Sequence, residues 1–144
     1  MIIEADRPLL GTAFIDVVAA AILSADGSKV LITRRHRKQH QGGLWEFPGG
    51  KVELDESLLE ALYRELDEEL NLQVITAEPL LTIEHKYSDK WVRLHVYTVR
   101  EFSGMPKANE QQPMRWAPVT DLPNTPFPEA NQPIVEKLVE LKIN

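Results

Sequence analysis

The sequence contains no cysteine. This absence excludes disulfide bonds, thiolate metal sites and a cysteine nucleophile, and it fits a reducing compartment. Long apolar runs are also missing, because the longest run, 17–23, is too short to cross a bilayer. The segment 1–10 has neither the basic start nor the apolar core of a signal peptide. We therefore expect a cytoplasmic protein with no membrane partner.

Basic side chains are scarce, since 16 Lys and Arg residues face 22 Asp and Glu residues and the net charge is −6. Proteins that bind a nucleic-acid polymer usually carry a basic surface, so this balance argues against such a partner. A small polyphosphate is still compatible with the composition, because divalent cations can bridge phosphates to acidic side chains. The length of 144 residues predicts one domain over 1–144. Either a monomer or a homodimer is compatible with the sequence.

Strand patterns occur in five apolar, β-branched or alternating segments, at 13–23, 30–35, 79–87, 91–99 and 113–119. An Asp-Gly turn separates the first two. Between them and the first helix, a short strand leads into a turn at Gly49 and Gly50, residues that adopt backbone angles closed to others.

Helical spacing occurs in two segments. The first runs from Glu56 or Ser57 to about Leu70, with an apolar stripe made by Leu59, Leu62, Leu66 and Leu70. The second begins near Asn131 and runs towards the end of the chain. The combination predicts an α/β fold in which a mixed β-sheet is sandwiched between α-helices (α-β-α).

Three glutamates of the first helix lie close together on one side. Glu65, Glu68 and Glu69 fall within about a third of the helix circumference, at the edge of the leucine stripe. Like charges at these spacings repel, and Arg64 alone cannot neutralise all three. Two interpretations are open at this point: a solvated acidic helix end, or a cluster completed by a hard divalent cation such as Mg²⁺.

The residues around these acids resemble the signature of the Nudix family, G-x5-E-x7-R-E-U-x-E-E-x-G-U, where U is aliphatic. The matching positions are Gly50, Glu56, Arg64, Glu65, Leu66, Glu68, Glu69 and Leu72. Asn71 departs from the signature, which has glycine there. Asparagine tolerates the left-handed conformation of such a helix end, so we expect the site to be unaffected. The resemblance implies a Nudix fold and a metal-dependent hydrolase of nucleoside diphosphates linked to another group.

The resemblance also implies roles for individual residues. Mg²⁺, or alternatively Mn²⁺, would be held by carboxylates and one backbone carbonyl, and the expected contacts are Gly49, Glu56, Glu65, Glu68, Glu69 and Glu110. Arg64 would orient the glutamates, and Lys51 would lie near the phosphates or the leaving group. Glu65 is the first choice for the general base and Glu110 the alternative, although Glu110 could also be an ordinary exposed loop residue.

Features outside the signature resemble the MutT-like branch of the family, which acts on oxidised guanine nucleotides. Arg35, Phe47 and Tyr87 are candidate substrate contacts, although aromatic residues in strands more often belong to a core. Asn131, within the sequence PEANQP, is the candidate that reads the base, because its amide complements O6 and N7 of 8-oxoguanine. Its alternative role is the N-cap of the last helix.

The main hypothesis is therefore Mg²⁺-dependent hydrolysis of a nucleoside triphosphate to the monophosphate and pyrophosphate. The preferred substrate would be 8-oxo-dGTP, and the role would be to avoid mutation during DNA replication and repair. A CTP-type or broad-range nucleotide pyrophosphohydrolase is the alternative, because the segment 43–53 also resembles that branch. A nucleotide-sensing domain without activity is disfavoured, since such domains usually lose glutamates of the signature. The histidines show no metal spacing and are interpreted as structural: His36, His40, His85 and His95.

Overall fold

The computed structural model describes residues 11, 13–35 and 43–143. The strands in these ranges are β1 (Phe14–Leu23), β2 (Lys29–Arg34), β3 (Trp45–Glu46), β4 (Gly49–Lys51), β5 (Gln73–Tyr87), β6 (Lys90–Ser103) and β7 (Met114–Pro118). The helices are α1 (Leu58–Leu70) and α2 (Gln132–Ile143), with short 3-10 helices at Val119–Asn124 and Glu129–Asn131. None of the helices in the described ranges is long and apolar enough to cross a membrane.

The sheet is mixed, because β1 and β6 run parallel while the other paired strands run antiparallel. Near their hairpin turn, β1 and β2 pair with each other, at 22–23 and 30–31. Further along, β4 is the antiparallel partner of β1 over 17–19, and β3 is the partner of β2 at 33–34. The segment 45–51 therefore lies between β1 and β2 and brings its residues to the middle of the sheet.

Each face of the sheet is covered by one helix, which confirms the predicted α-β-α arrangement. Successive residues of β2 show the alternation, since Leu31 belongs to the core under α1 while Val30 and Ile32 belong to the core under α2. Each fully buried aliphatic side chain contributes on the order of 1.5–3 kcal/mol to folding. The two cores thus fix α1 and α2 on opposite faces.

The ends of α1 are set by side chains and backbone turns. Ser57 is the N-cap and exchanges hydrogen bonds with Glu60 in a capping box, so α1 begins at Leu58, one residue after the later of the two predicted starts. Asn71 has φ 57° and ψ 36°, the left-handed conformation expected of it. The Asn71 N–H donates to the Asp67 carbonyl at 3.0 Å, the αL type of helix ending, which accommodates asparagine in place of glycine.

Two predicted elements differ from the structure. Leu59 is 40% exposed, because Leu58 and Ala61 instead contact the core at the start of α1. The fifth strand begins at Gln73, well before the predicted Pro79, and pairs along nearly all of β6. Register shifts in this hairpin, including one beside Pro79, let the long strand continue through a residue that cannot donate a ladder hydrogen bond.

The predicted glycine turn is also different, since Gly49 and Gly50 belong to strand β4 and neither has a positive φ. Gly49 is required there for lack of space, whereas Gly50 is crowded only by a movable side chain. A Cβ on Gly49 would overlap the carbonyl oxygen of Val18 in β1, and a Cβ on Gly50 would overlap the carboxylate of Glu65. This close approach brings β4 directly against both the sheet and the acidic side of α1.

Candidate functional site

Arg64 connects the acids of α1 to the loop before the helix. Its Nε and one terminal nitrogen donate to both oxygens of Glu56, at 2.7 and 2.9 Å. The guanidinium also donates to Glu65 at 2.9 Å, to Glu68 at 3.4 Å and to the Lys51 carbonyl at 3.0 Å. The hydrogen bonds from Arg64 lower the pKa of Glu56 to about 2. Arg64 therefore keeps Glu56 ionised and holds β4 and α1 in one position.

Glu69 has the opposite electrostatic environment. Burial and the nearby charges of Glu65, Glu110 and Glu46 together raise the pKa of its carboxyl to about 8, against a backbone hydrogen bond from Gly49. Ionising Glu69 near neutral pH is therefore costly in the protein alone. A cation at this place would relieve the repulsion and favour the ionised form.

The donor set at this place fits a hard divalent cation, which prefers carboxylate oxygens. Within the described ranges, no three His, Asp or Glu side chains are already gathered closely enough to hold an ion. The reason is that Glu65 and Glu68 turn towards Arg64, at 2.9 and 3.4 Å. Glu46, Glu69 and Glu110 are the carboxylates that line the adjoining pocket. Glu65 and Glu68 would have to release part of their contact with Arg64 to join Glu69 and Glu110.

Glu110 is positioned by the loop that follows β6. In that loop, the Asn109 backbone N–H donates to the Glu69 carbonyl at 3.0 Å, and the Asn109 side chain donates to the Glu68 carbonyl at 2.9 Å. These carbonyls belong to the last turn of α1 and have no partner within the helix. The Glu110 N–H donates to the Gln112 side chain at 3.0 Å. Asn109 thus attaches the loop to the helix turn that carries the acids.

A pocket of about 370 Å³ adjoins these acids. Its polar side is lined by Glu46, Gly49, Gly50, Glu69, Glu110 and Gln112. Its other side lies towards α2 and is mainly apolar, with Phe47, Ile83, Leu94, Ala130, Asn131 and Ile134. One cavity therefore places an apolar, amide-bearing surface next to a carboxylate-rich surface.

Asn131 lies in the 3-10 helix that leads into α2 and is 9% exposed. Its side chain makes no hydrogen bond to the backbone at the start of α2 within the part of the chain described. Its amide thus lines the pocket without acting as a cap there. Phe47 lines the pocket and also stacks on Phe127 in the core at a ring distance of 5.0 Å, so its position is compatible with either predicted role.

Arg35 and Tyr87 also line the pocket, as predicted for substrate contacts. The Arg35 guanidinium donates to Glu46 at 2.8 Å. Burial raises the pKa of Tyr87, and the charge of Arg35 opposes this effect. His85, interpreted as structural, packs edge-to-face on Tyr87 at 4.5 Å and lines the same cavity.

Other predicted residues lie outside the pocket lining. Lys51 is exposed, and the residues that border the site from α1 and its preceding loop are Glu56, Arg64, Glu65 and Glu68. His95 lies away from the pocket, and its Nε2 is 2.9 Å from the carboxylate of Asp16. His36 and His40 lie outside the described residues.

Sequence reasoning missed Arg34, Glu46 and Asn109. The strand alternation around β3 could have identified Glu46, because it faces away from the neighbouring Phe47 and towards the acids. The position of Asn109 depends on a contact between segments far apart in the chain, which no local pattern reports.

Comparison with known proteins agrees with this geometry. Residues 18–137 match the NUDIX domain family. The chain is 38% identical over 125 residues to a CTP pyrophosphohydrolase of Escherichia coli, covering 87% of this chain and 92% of the relative. It is 32% identical over 124 residues to the 8-oxo-dGTP diphosphatase of the same organism, covering 86% and 96%.

A solved structure shares the fold as well. It comes from a study of MutT from Aliivibrio salmonicida and Vibrio cholerae, is 36% identical and superposes with a TM-score of 0.80. The match covers 90% of this chain and 99% of that one. The acids on α1 have the spacing of the signature, and the mixed sheet lies between two helices. Together with these similarities, they show that the chain belongs to the Nudix family of hydrolases.

Proposed function

We propose that this chain hydrolyses nucleoside triphosphates to the monophosphate and pyrophosphate, with Mg²⁺ as its cofactor and 8-oxo-dGTP as its preferred substrate. The observation that carries the proposal is the single pocket that has Asn131 at its apolar side and Glu69 and Glu110 at its acidic side. A nucleotide requires both surfaces, because its base must be recognised while its phosphates lie beside the acids.

Asn131 supplies the recognition of the base in this proposal. An amide offers one acceptor and one donor, and 8-oxoguanine offers a donor at N7 beside an acceptor at O6. Unmodified guanine has an acceptor at N7, so one group of the buried amide would be mispaired. Such a mispaired group costs about 1–3 kcal/mol, which corresponds to roughly a 10- to 100-fold preference for the oxidised base.

The acids supply the hydrolytic half of the site. A bound divalent cation would neutralise charge on the phosphates and acidify a coordinated water. Glu65, Glu68 and Glu69 would hold it with the Gly49 carbonyl, while Arg64 and Glu56 keep the helix and β4 in register.

The water that attacks the β-phosphorus needs a base, and Glu65 and Glu110 are the candidates. Glu65 accepts a hydrogen bond from Arg64 at 2.9 Å and does not line the pocket. Glu110 lines the pocket and is fixed by its attached loop. We therefore rank Glu110 ahead of Glu65, and Lys51 is kept as a contact to the phosphates or leaving group.

A pyrimidine substrate is the second candidate, and the 38% identity to a CTP pyrophosphohydrolase favours it. Steady-state kinetics on 8-oxo-dGTP, dGTP and CTP distinguish the two. We expect kcat/KM to be highest for 8-oxo-dGTP, and a higher value for CTP would replace the oxidised-guanine assignment.

Asn131→Ala provides the matching test of base recognition. Without the amide, we expect the ratio of kcat/KM for 8-oxo-dGTP over dGTP to fall by about 10-fold or more, since the N7 discrimination is lost. The rate with CTP should change less. Unchanged selectivity in a folded Asn131→Ala protein would contradict the role given to this residue.

Alanine substitutions of two neighbouring glycines should differ in their effects on stability and on activity. Gly49→Ala should lower the free energy of unfolding by about 3 kcal/mol, because the backbone of β1 must move. Gly50→Ala should cost only about 1 kcal/mol, because the Glu65 side chain can turn aside. Activity should nevertheless fall sharply in Gly50→Ala, because Glu65 is displaced.

Urea unfolding and nucleotide hydrolysis measured on both glycine variants would check this contrast. A fully active Gly50→Ala protein would show that the position of Glu65 does not matter for the reaction.

A further inference from the structure

Arg34 lines the pocket with a guanidinium that has no hydrogen-bond acceptor in the part of the chain that the structure describes. Its Nε is buried and has no hydrogen-bond partner among the described residues, and no ion pair joins its guanidinium to a carboxylate in those ranges. A buried N–H without an acceptor is unfavourable and uncommon in folded proteins. The neighbouring Arg35, by contrast, forms an ion pair with Glu46 at 2.8 Å.

The position of Arg34 on the sheet gives the direction of its side chain. In β2, Val30 and Ile32 pack on the α2 side, and Arg34 follows them on the same face by strand alternation. Its guanidinium lies 5.9 Å from the ring of Trp45, which packs against the same core. Arg34 is therefore on the side of Phe47 and Asn131, on the face opposite α1 and its glutamates.

We propose that Arg34 donates a hydrogen bond to a carbonyl oxygen of the bound base and so helps to select the nucleotide. This inference rests on the proposed function, because it assigns a further contact in the same pocket. A guanidinium has five N–H donors and no acceptor, so it recognises carbonyl oxygens and rejects N–H edges. The base of 8-oxo-dGTP carries such oxygens at C6 and at C8, and Asn131 alone cannot contact both edges.

The alternative target of a pocket arginine is a phosphate, and the two targets have different consequences. Losing a phosphate contact would weaken the binding of every nucleotide by the same factor. Losing a contact with a base carbonyl would weaken the binding only of nucleotides that carry that oxygen. The phosphates belong beside Glu69 and Glu110, on the acidic side of the pocket. The base is accordingly the part of the nucleotide that lies on the Arg34 side of the pocket.

Arg115 provides a matched control. Its guanidinium also lies over Trp45, at 5.2 Å, but Arg115 does not line the pocket. Arg34→Gln and Arg115→Gln therefore each remove a cation from the same indole, and only the first removes a donor from the cavity. Arg34→Lys adds a variant that keeps the charge but loses the planar fork.

The experiment is calorimetric binding of three monophosphates, 8-oxo-dGMP, dGMP and the deoxyribonucleotide of 2-aminopurine, to the wild type and these variants. The first pair differs in the C8 carbonyl, and the second pair differs in the C6 carbonyl. We expect Arg34→Gln to reduce at least one of the two affinity ratios by about 10-fold, with Arg34→Lys intermediate and Arg115→Gln unchanged.

Equal weakening of all three ligands, unchanged ratios, or the same loss in Arg115→Gln would each overturn the role of Arg34. If the wild type discriminates among the ligands and the Arg34→Gln protein discriminates equally well, this inference alone would be overturned. Wild-type protein that binds none of the three would overturn both this inference and the oxidised-guanine proposal.

Discussion

Replacing Glu69 with glutamine should nearly abolish nucleotide hydrolysis. The same change should raise the melting temperature of the metal-free protein when it is measured above about pH 8. The activity should fall by about 100-fold or more, because a carboxylate proposed to hold the cation is lost. The gain in stability arises because the neutral amide avoids the cost of burying an ionised carboxylate and removes repulsion from Glu65, Glu110 and Glu46.

The sign of the effect follows from the pKa of Glu69, which is raised to about 8 from an ordinary value of 4.5. Between these values, the folded protein retains a proton that the unfolded chain has released, so stability of the metal-free protein falls as pH rises. Glu69→Gln removes this contribution. Its advantage in melting temperature should therefore be small near pH 5 and largest above about pH 8.

Asp67→Asn is the matched control for this prediction. Asp67 lies on the same helix, is exposed and accepts a hydrogen bond from Gln73 at 2.9 Å, away from the other acids. Thermal unfolding in a chelator and hydrolysis with Mg²⁺ should leave Asp67→Asn close to wild type. A Glu69→Gln protein that is less stable than wild type above about pH 8 would contradict the repulsion assigned to Glu69.

Replacing Arg64 with glutamine should lower both stability and activity. Its side chain is 22% exposed and that of Glu56 is 13% exposed, so the pair is largely shielded from water. Removing Arg64 leaves the carboxylates of Glu56, Glu65 and Glu68 without their shared cation, so the free energy of unfolding should fall. Activity should fall by about 10- to 100-fold, because Glu65 and Glu68 lose the group that orients them.

Arg64→Lys should restore part of the stability and little of the activity. A single ammonium cannot make the two parallel hydrogen bonds to Glu56 and also reach Glu65 and the Lys51 carbonyl. Urea unfolding and kcat would be measured for both variants. Arg93→Gln is the control, because its pair with Glu84 is more exposed and should contribute about 1 kcal/mol or less.

An Arg64→Gln protein no less stable than Arg93→Gln would show that the contacts of Arg64 do not hold β4 against α1. Full activity of Arg64→Lys would show that only the charge of Arg64 matters.

The overall fold could be predicted from the sequence because its determinants are local and periodic. Leucine spacing predicts α1, alternation predicts β6, and the fixed spacing from Gly50 to Glu69 predicts which helix carries the acids. Asn71 was correctly predicted as a left-handed helix end, because few residue types adopt that conformation.

Contacts between distant segments could not be predicted in this way. Gly49 and Gly50 were expected in a turn, but β1 leaves no room for a side chain on Gly49, and the movable side chain of Glu65 crowds Gly50. The attachment of Asn109 to the end of α1 and the unpaired Nε of Arg34 likewise arise from packing between elements. In each of these cases the residue type alone is compatible with an exposed loop or an ordinary strand.

The most direct test of the central claim is identification of the products formed by the wild-type protein from 8-oxo-dGTP and Mg²⁺ in ¹⁸O-labelled water. Attack on the β-phosphorus requires unlabelled monophosphate and pyrophosphate that carries the label. We expect these two products, and we expect Glu65→Gln and Glu68→Gln proteins to release almost none. Release of inorganic phosphate in place of pyrophosphate, or full activity in both variants, would contradict a pyrophosphohydrolase site built on these carboxylates. Label in the monophosphate would contradict attack on the β-phosphorus.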